Sequence, residues 1–137
     1  MKNIILSIKP YFVEAILDGK KTIELRKRVG KLFIENNTVY IYSTSPVKAI
    51  VAEAKISHID RICPSEIRND ILISAHVSKV YFDDYFKKST QAYLIHLKDI
   101  RRLKHPINID ILRQLGVTPP QSFCYSESER FTKKEGL

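Results

Sequence analysis

The chain has 137 residues, 44% of them hydrophobic, and its 23 Lys and Arg outnumber 15 Asp and Glu to give a formal net charge of +8. This length suits one domain with its own core, and the composition excludes collagen-like, low-complexity and intrinsically disordered classes. No uninterrupted apolar run approaches the roughly 20 residues of a membrane span, and the amino terminus lacks a secretory signal pattern. The excess positive charge suggests a polyanionic partner, and because no candidate span is found, no membrane partner is expected.

The first third of the chain predicts a strand, a short helix and a second strand. Residues 3–8 form an apolar run typical of a strand. Pro10 suits the first turn of a helix, and Gly19 is predicted to end it at a sharp turn where a Cβ could clash. Residues 21–28 alternate with period two, which predicts a second strand with one apolar and one polar face.

The middle of the chain predicts two further strands and two helices. Residues 38–43 and 48–59 have the β-branched, aromatic or alternating character of strands. A helical stretch begins at Cys63, and Ser78 is predicted as the N-cap of a second helix over residues 79–87. The side chains predicted to face inward from these helices are Ile67, Ile71, Leu72, Val80, Phe82 and Phe86.

The last third predicts one strand, one short helix and an extended loop. Residues 92–97 form a strand that runs into a basic segment, which Pro106 is expected to interrupt. Residues 107–115 are predicted as a helix that Gly116 ends. The two consecutive prolines within residues 118–123 require an extended loop.

The organisation of these elements predicts one α+β domain. Strands that are not separated by regular crossover helices argue against a doubly wound parallel sheet, so we expect a small mixed barrel of about five strands. The domain is predicted to span residues 1–125. Residues 126–137 contain few apolar side chains and are predicted to form a flexible tail.

The positive charge is concentrated in two segments. Residues 1–31 contain eight basic and three acidic residues, a net +5, and residues 98–104 contain four basic and one acidic residue, a net +3. A clustered positive surface suits phosphate binding, because each neutralised phosphate releases counterions. The alternative is a solvated basic face without a specific partner.

The histidines and cysteines predict neither a metal site nor a nucleophile. No metal-ligand spacing, Walker A, G-x-S-x-G or dinucleotide motif is present, so no metal and no cofactor are expected. The two cysteines are expected to be free thiols in a reducing, cytoplasmic compartment. The residues concerned are His58, His76, His96, His105, Cys63 and Cys124.

The segment GKKTIELR, residues 19–26, carries the strongest candidate site. Glu24 and Arg26 lie two apart on a predicted strand, so both project from its non-core face. They can form an acid–base pair, or a site in which the guanidinium binds phosphate and the carboxylate accepts from a base amino group. The alternative is a simple ion pair on an exposed sheet face. Lys21 has the opposite strand parity and can join them only if the turn after Gly19 rotates it.

Several residues outside this segment are further candidates for ligand contacts. The hydroxyls of the turn at 43–45 suit phosphate or base contacts, although an ordinary turn is the alternative. Tyrosines on the third strand could stack on bases, or pack in the core. Glu53 could lie near a cleft, or on the polar face of its strand. The candidates are Lys9, Tyr40, Tyr42, Ser43, Thr44, Ser45 and Lys48.

The pattern G-x-K-x-x-E-x-R, its flanks ILSIKPYFVEAILDGKKTIELRKR, and the later STSP and PPQSF segments resemble the ASCH domain family of the PUA-like superfamily. The resemblance covers about residues 3–125 and is to stand-alone prokaryotic members. It implies a PUA-like small mixed β-barrel of about five to six strands with short helices inserted between strands. It also implies a cleft that includes Lys21 with Glu24 and Arg26, walled by Gln121, Ser122 and Phe123.

The resemblance implies two classes of function. The first is a non-catalytic binder of nucleic acid, RNA in preference to DNA, or of a modified nucleotide, including regulatory modules. The alternative is a hydrolase, either a ribonuclease that uses Lys21, Glu24 and Arg26 or an enzyme that cleaves an N4-acylated cytidine amide. In the latter relatives a lysine matches Lys21, but threonine stands where this chain has Glu24, so the nucleophile would be Lys21 or a water polarised by Glu24. A third hypothesis is that the basic surface binds an acidic partner protein.

Overall fold

The computed structural model describes residues 2–127, which form a mixed six-stranded sheet and four short α-helices. A 3-10 turn at Pro64–Glu66 precedes the second helix. The elements in chain order are β1 (Lys2–Ile8), α1 (Pro10–Leu17), β2 (Ile23–Arg26), β3 (Thr38–Ser43), β4 (Ala49–Ile62), α2 (Asn69–Ala75), α3 (Lys79–Tyr85), β5 (Ala92–Asn108), α4 (Ile109–Gln114) and β6 (Phe123–Glu127).

The sheet has the strand order β2-β5-β4-β3-β1-β6, in which β1 and β3 are parallel and every other neighbouring pair is antiparallel. No backbone ladder joins the edge strands β2 and β6 within residues 2–127, so this sheet is not a closed barrel there. The α+β, PUA-like fold class is confirmed. The helices lie between strands along the chain, as predicted.

Three apolar clusters hold the fold together. The largest lies between α1 and the inner residues of β1, β3 and β4. A second packs the opposite face of β1 and β3 against α4, and a third packs β2 and β5 against α2 and α3. The third cluster places two helices from the middle of the chain over β2, the strand that carries the candidate motif.

Two local predictions in the second half of the chain are wrong. Pro106 was expected to interrupt the strand, but β5 continues through it to Asn108. The strand β2 pairs with β5 only at residues 93–96. Beyond that point β5 has one neighbour, and an edge position tolerates a proline that donates no hydrogen bond. Val80 is 79% exposed instead of inward, whereas Phe82 and Phe86, one helical turn apart, are buried.

The ends of several elements also differ from prediction. The helical stretch after Cys63 is divided into the 3-10 turn and α2, and α4 begins at Ile109, two residues later than expected. Strand β6 extends to Glu127, which pairs with Lys2, two residues into the predicted tail. The rest of that predicted tail, residues 128–137, lies outside the described residues. Among the described residues, no helix is long and apolar enough to cross a membrane.

Ser78 caps α3 as predicted, since its hydroxyl accepts a hydrogen bond from the Tyr81 amide at 3.0 Å. We expect Ser78→Ala to lower the free energy of unfolding by about 1 kcal/mol, because an amide at the helix start loses its acceptor. Urea denaturation measures the change. Val80→Ala, on the exposed face of the same helix, is the control and should change stability by less than about 0.5 kcal/mol. Equal losses in the two variants would contradict the capping role.

Candidate functional site

The turn between α1 and β2 positions Lys21. Gly19 follows the end of α1 with a φ of +79°, the left-handed region that favours glycine. A Cβ at Gly19 would meet nothing within 4 Å, so the predicted clash is wrong and the positive φ alone explains the glycine. The amides of Lys20 and Lys21 both donate to the Ala15 carbonyl oxygen, at 2.9 and 3.1 Å. This turn takes Lys21 out of the strand alternation and directs it toward Glu24.

The Lys21 side chain is buried, with only 2% of its surface exposed. Its Nζ donates to the Ala75 carbonyl oxygen at 2.6 Å and lies 3.3 Å from Glu24 Oε1. The same nitrogen lies 4.8 Å from the centroid of the Phe12 ring. Loss of water lowers the pKa of Lys21 below its usual value, and the Glu24 carboxylate partly offsets that effect.

Glu24 and Arg26 project from the same face of β2, as the period-two pattern predicts. Arg26 Nε and Nη2 donate to Glu24 Oε2 at 2.9 and 2.7 Å. Glu24 is 7% exposed, so the alternative of an ion pair on an exposed sheet face is wrong. Because the two cations share one buried carboxylate, the three side chains form a single ionic cluster, here called the Lys–Glu–Arg cluster.

Arg26 also links the two edges of the sheet. Its Nη2 donates to the carbonyl oxygen of Ser7, in β1, at 2.7 Å. Its Nη1 donates to Ser122 Oγ at 3.1 Å and to the Ser122 carbonyl oxygen at 3.5 Å, just before β6 begins. Each nitrogen of the guanidinium is therefore engaged within the protein, and a phosphate could reach Arg26 only in exchange for Ser122.

A cavity of about 310 Å³ opens above the Lys–Glu–Arg cluster. One wall is aromatic and is built from α1 and α3, and the rim is polar. Burial raises the pKa of Tyr81 and of Tyr85 above the ordinary value of 10.0. The aromatic wall comprises Phe12, Tyr81, Tyr85, Phe82 and Phe86, and the polar rim comprises Lys9, Thr44 and Gln121.

The structure brings together about half of the residues selected from the sequence. Ser122 joins this group through its contact with Arg26. The predicted residues that line the cavity are Lys9, Lys21, Glu24, Arg26, Thr44 and Gln121.

The other predicted residues do not line this cavity. Tyr42, like Tyr40, is buried in the cluster beneath α4, the packing alternative considered for these tyrosines. Phe123 packs on Phe33, with ring centroids 4.8 Å apart. Their binding roles, and those of the remaining residues in this group, stay predictions. The group comprises Gly19, Tyr42, Ser43, Ser45, Lys48 and Phe123.

The aromatic wall is the part of the site that sequence reasoning missed. The sequence analysis selects neither Phe12 nor the two tyrosines of α3 as site residues, and it predicts Phe82 and Phe86 only as inward-facing side chains. Tyr81 and Tyr85 lie one helical turn apart, and their rings stack with centroids 6.3 Å apart. The i, i+4 spacing indicates that the two tyrosines share one face of the helix. Only the packing of α3 shows that this face lies over β2.

The second basic segment lies away from the cavity, since none of residues 98–104 lines it. Part of its charge is neutralised, because Arg101 lies 2.8 Å from Glu53 and Arg102 lies 3.7 Å from Glu14. Glu53 is therefore part of a surface ion pair on the strands β4 and β5. The net charge of +8 thus overstates the positive charge at the cavity.

The fold and the site together define a small PUA-like α+β protein with a buried Lys–Glu–Arg cluster beneath an aromatic-walled cavity. A family model described as the ASCH domain matches residues 6–111, most of the chain. The chain belongs to the ASCH domain family, as its sequence resemblance implied.

One protein sequence and one solved structure, both from Zymomonas mobilis, match nearly the whole chain, and a second solved structure shares the fold. A Zymomonas mobilis protein described as an ASCH domain-containing ribonuclease is 31% identical over 138 residues, 99% of this chain and 92% of the relative. The crystal structure of ASCH from Zymomonas mobilis matches with a TM-score of 0.88 and 29% identity, covering 98% of this chain and 94% of that chain. The N-terminal domain of Staphylothermus marinus McrB, at a TM-score of 0.59 and 14% identity, covers 95% of this chain and 91% of that chain and shows the fold alone.

Proposed function

We propose that this protein binds single-stranded RNA and holds one unpaired base in the cavity above the Lys–Glu–Arg cluster. The observation that carries the proposal is the combination of an aromatic wall with a buried charged floor in a cavity of about 310 Å³. Pockets for small ligands in general are mostly apolar, with a few polar groups that orient the ligand. A nucleobase has flat apolar faces that suit the aromatic wall and a polar edge that suits the charged floor.

The aromatic wall would bind the faces of the base. Tyr81 lines the cavity, and 40% of the residue is exposed to solvent. Stacking on such a ring tolerates any base, because every base has a π face. At the floor, Glu24 can accept from an exocyclic amino group and Lys21 can donate to a ring carbonyl or nitrogen. Access to that edge requires the base to be unpaired, which favours single strands over duplexes.

The rim would bind the phosphate on the outer side of the base. Lys9 supplies a positive charge at the mouth, and Thr44 and Gln121 supply neutral hydrogen-bonding groups. Lys27, whose Nζ lies 4.7 Å from the centroid of the Tyr85 ring, would add attraction that weakens with salt. RNA is favoured over DNA because the Zymomonas mobilis relative is described as a ribonuclease.

A binding experiment tests this proposal with a matched pair of variants on α3. Fluorescence anisotropy would measure the Kd of a labelled single-stranded RNA of about ten nucleotides, which matches the usual span of one binding site. We expect Tyr81→Ala to weaken binding about 5- to 150-fold, the loss of one base stack. Val80→Ala, next to it on the exposed side of α3, should leave the Kd unchanged. No binding by the wild type at low salt, or equal effects of both variants, would refute the proposal.

The second candidate function is hydrolysis of the bound RNA, which the description of the relative favours. In such a reaction the 2′-oxygen attacks phosphorus and the 5′-oxygen departs, which needs one group to take a proton and another to supply one. Glu24 is a carboxylate able to accept the 2′-hydroxyl proton, and Lys21 is an ammonium able to supply one to the leaving oxygen. Arg26 would act as a positioning residue, since its contacts hold Glu24 in place. Cleavage of an N4-acylated cytidine has less support, because Glu24 replaces the threonine of those relatives.

A further inference from the structure

A second group of polar side chains lies on strands β4 and β5, outside the cavity. His58 of β4 and His96 of β5 are directly opposite one another in the ladder. Their imidazole rings stack with centroids 3.9 Å apart and planes inclined by 15°. Asp60, two residues after His58, places Oδ2 2.9 Å from His96 Nε2 and 3.7 Å from His58 Nε2.

These three side chains offer one potential metal-binding atom each, and those atoms all lie within 4.8 Å of one another. Donors that are about 2.0–2.1 Å from a tetrahedral zinc ion lie roughly 3.3 Å from each other. The two measured distances to Asp60 Oδ2 lie on either side of that separation. His58 and Asp60 are more than half exposed, so their side chains have room to rotate their lone pairs toward a shared ion.

We propose that His58, Asp60 and His96 form a binding site for a divalent first-row transition ion of the zinc class. Two imidazole nitrogens with one carboxylate suit such ions, whereas Mg²⁺ prefers oxygen donors and retains its water. The three ligands come from two paired strands, so the fold brings the donors together before the ion binds. The remaining coordination positions face solvent.

The proposed site goes beyond RNA binding, and none of its three residues lines the cavity. It also departs from the expectation, based on sequence spacing, that no metal binds. The H-x-D spacing of His58 and Asp60 is weak alone, and His96 lies 36 residues after Asp60 in the chain. Only the β4–β5 register places it opposite His58.

Isothermal titration calorimetry of the full chain, stripped with a chelator and titrated with Zn²⁺, tests the proposal. His58→Ala is the test variant, because His58 is exposed and its loss should leave the fold intact. His105→Ala is the matched control, since His105 is an exposed histidine of β5 away from the cluster. We expect one zinc per chain in the wild type and in the control. His58→Ala should lose at least about 10- to 100-fold in affinity, no less than the loss of an outer-shell partner of a metal ligand.

Two further readouts guard against non-specific binding. Zn²⁺ should raise the Tm of the wild type and of His105→Ala more than that of His58→Ala, because an ion that binds only the folded state stabilises it. The imidazole signals of His58 and His96, and not that of His105, should shift in NMR spectra on addition of zinc. The absence of wild-type binding, equal affinity in His58→Ala, or an equal loss in His105→Ala would overturn the proposal.

Discussion

Glu24→Gln is expected to lower the free energy of unfolding by about 3–5 kcal/mol, the usual cost of removing one member of a buried ion pair. Glutamine keeps the size of the side chain and an acceptor oxygen, but it removes the negative charge. Lys21 and Arg26 would then be two cations in a cluster with little water and without the carboxylate that they share. Chemical denaturation at neutral pH, followed by circular dichroism, measures the loss.

The matched control is Glu53→Gln in the ion pair with Arg101. The closest distance in that pair is 2.8 Å, similar to the 2.7 Å between Glu24 and Arg26, but both partners are considerably more exposed. Water and salt screen an exposed pair, so we expect a loss of at most about 1 kcal/mol. If Glu24→Gln cost no more than this control, the Lys–Glu–Arg cluster would not be the stabilising feature that its burial indicates.

Lys21→Met is expected to reduce cleavage of single-stranded RNA by about 100- to 10,000-fold if the chain is a ribonuclease, the usual contribution of a positioned acid or base. The free energy of unfolding should change by only about 1–2 kcal/mol. Methionine loses the hydrogen bond to the Ala75 carbonyl oxygen, but it also removes a charge that is costly to bury, and Arg26 continues to neutralise Glu24. Initial rates on a fluorescent RNA, with Tm as the check on folding, measure the effect.

Lys20→Met is the control, because Lys20 is the adjacent residue and its side chain is exposed. It removes the same charge from the chain and should leave the cleavage rate within about twofold, the size of a screened surface effect. Equal loss of rate in both variants would assign the effect to overall charge. If the wild type binds RNA and cleaves neither RNA nor acylated cytidine, the protein is a binder without catalysis.

A comparison of the wild type with Lys21→Met also tests whether folding lowers the pKa of Lys21, because that shift changes the pH dependence of stability. Folding lowers the pKa of Lys21 below its ordinary value of 10.5, so the unfolded chain binds this proton more tightly. The free energy of unfolding of the wild type should therefore rise with pH between the lowered pKa and 10.5, relative to Lys21→Met. A parallel pH dependence in the two proteins would contradict a lowered pKa of Lys21 in the folded protein.

Local patterns predicted many of the elements well. The apolar run of β1, the proline at the start of α1 and the β-branched run of β3 depend on neighbours along the chain, which a sequence displays directly. The capping role of Ser78 was found for the same reason. The common face of Glu24 and Arg26 also follows from the geometry of one strand.

The wrong predictions concern residues whose burial or strand pairing depends on distant segments of the chain. Pro106 lies within a strand because β5 has lost its second neighbour there. Val80 is exposed because α3 turns the face of Phe82 and Phe86 toward the third apolar cluster. In each case the residue type allowed both outcomes, and the packing of another element selected one.

The family, the fold class, the helix and strand that flank Gly19, and the common strand face of Glu24 and Arg26 could all be predicted from the sequence. By contrast, only the packing of distant segments shows that Lys21 is buried beside Glu24, that tyrosines of α3 line the cavity, and that His96 stacks on His58. Periodicity records which way a side chain points within its own element, and that information is local. Burial, desolvation and contacts between strands depend on residues far apart in the chain, and these are what convert a positively charged segment into a defined site.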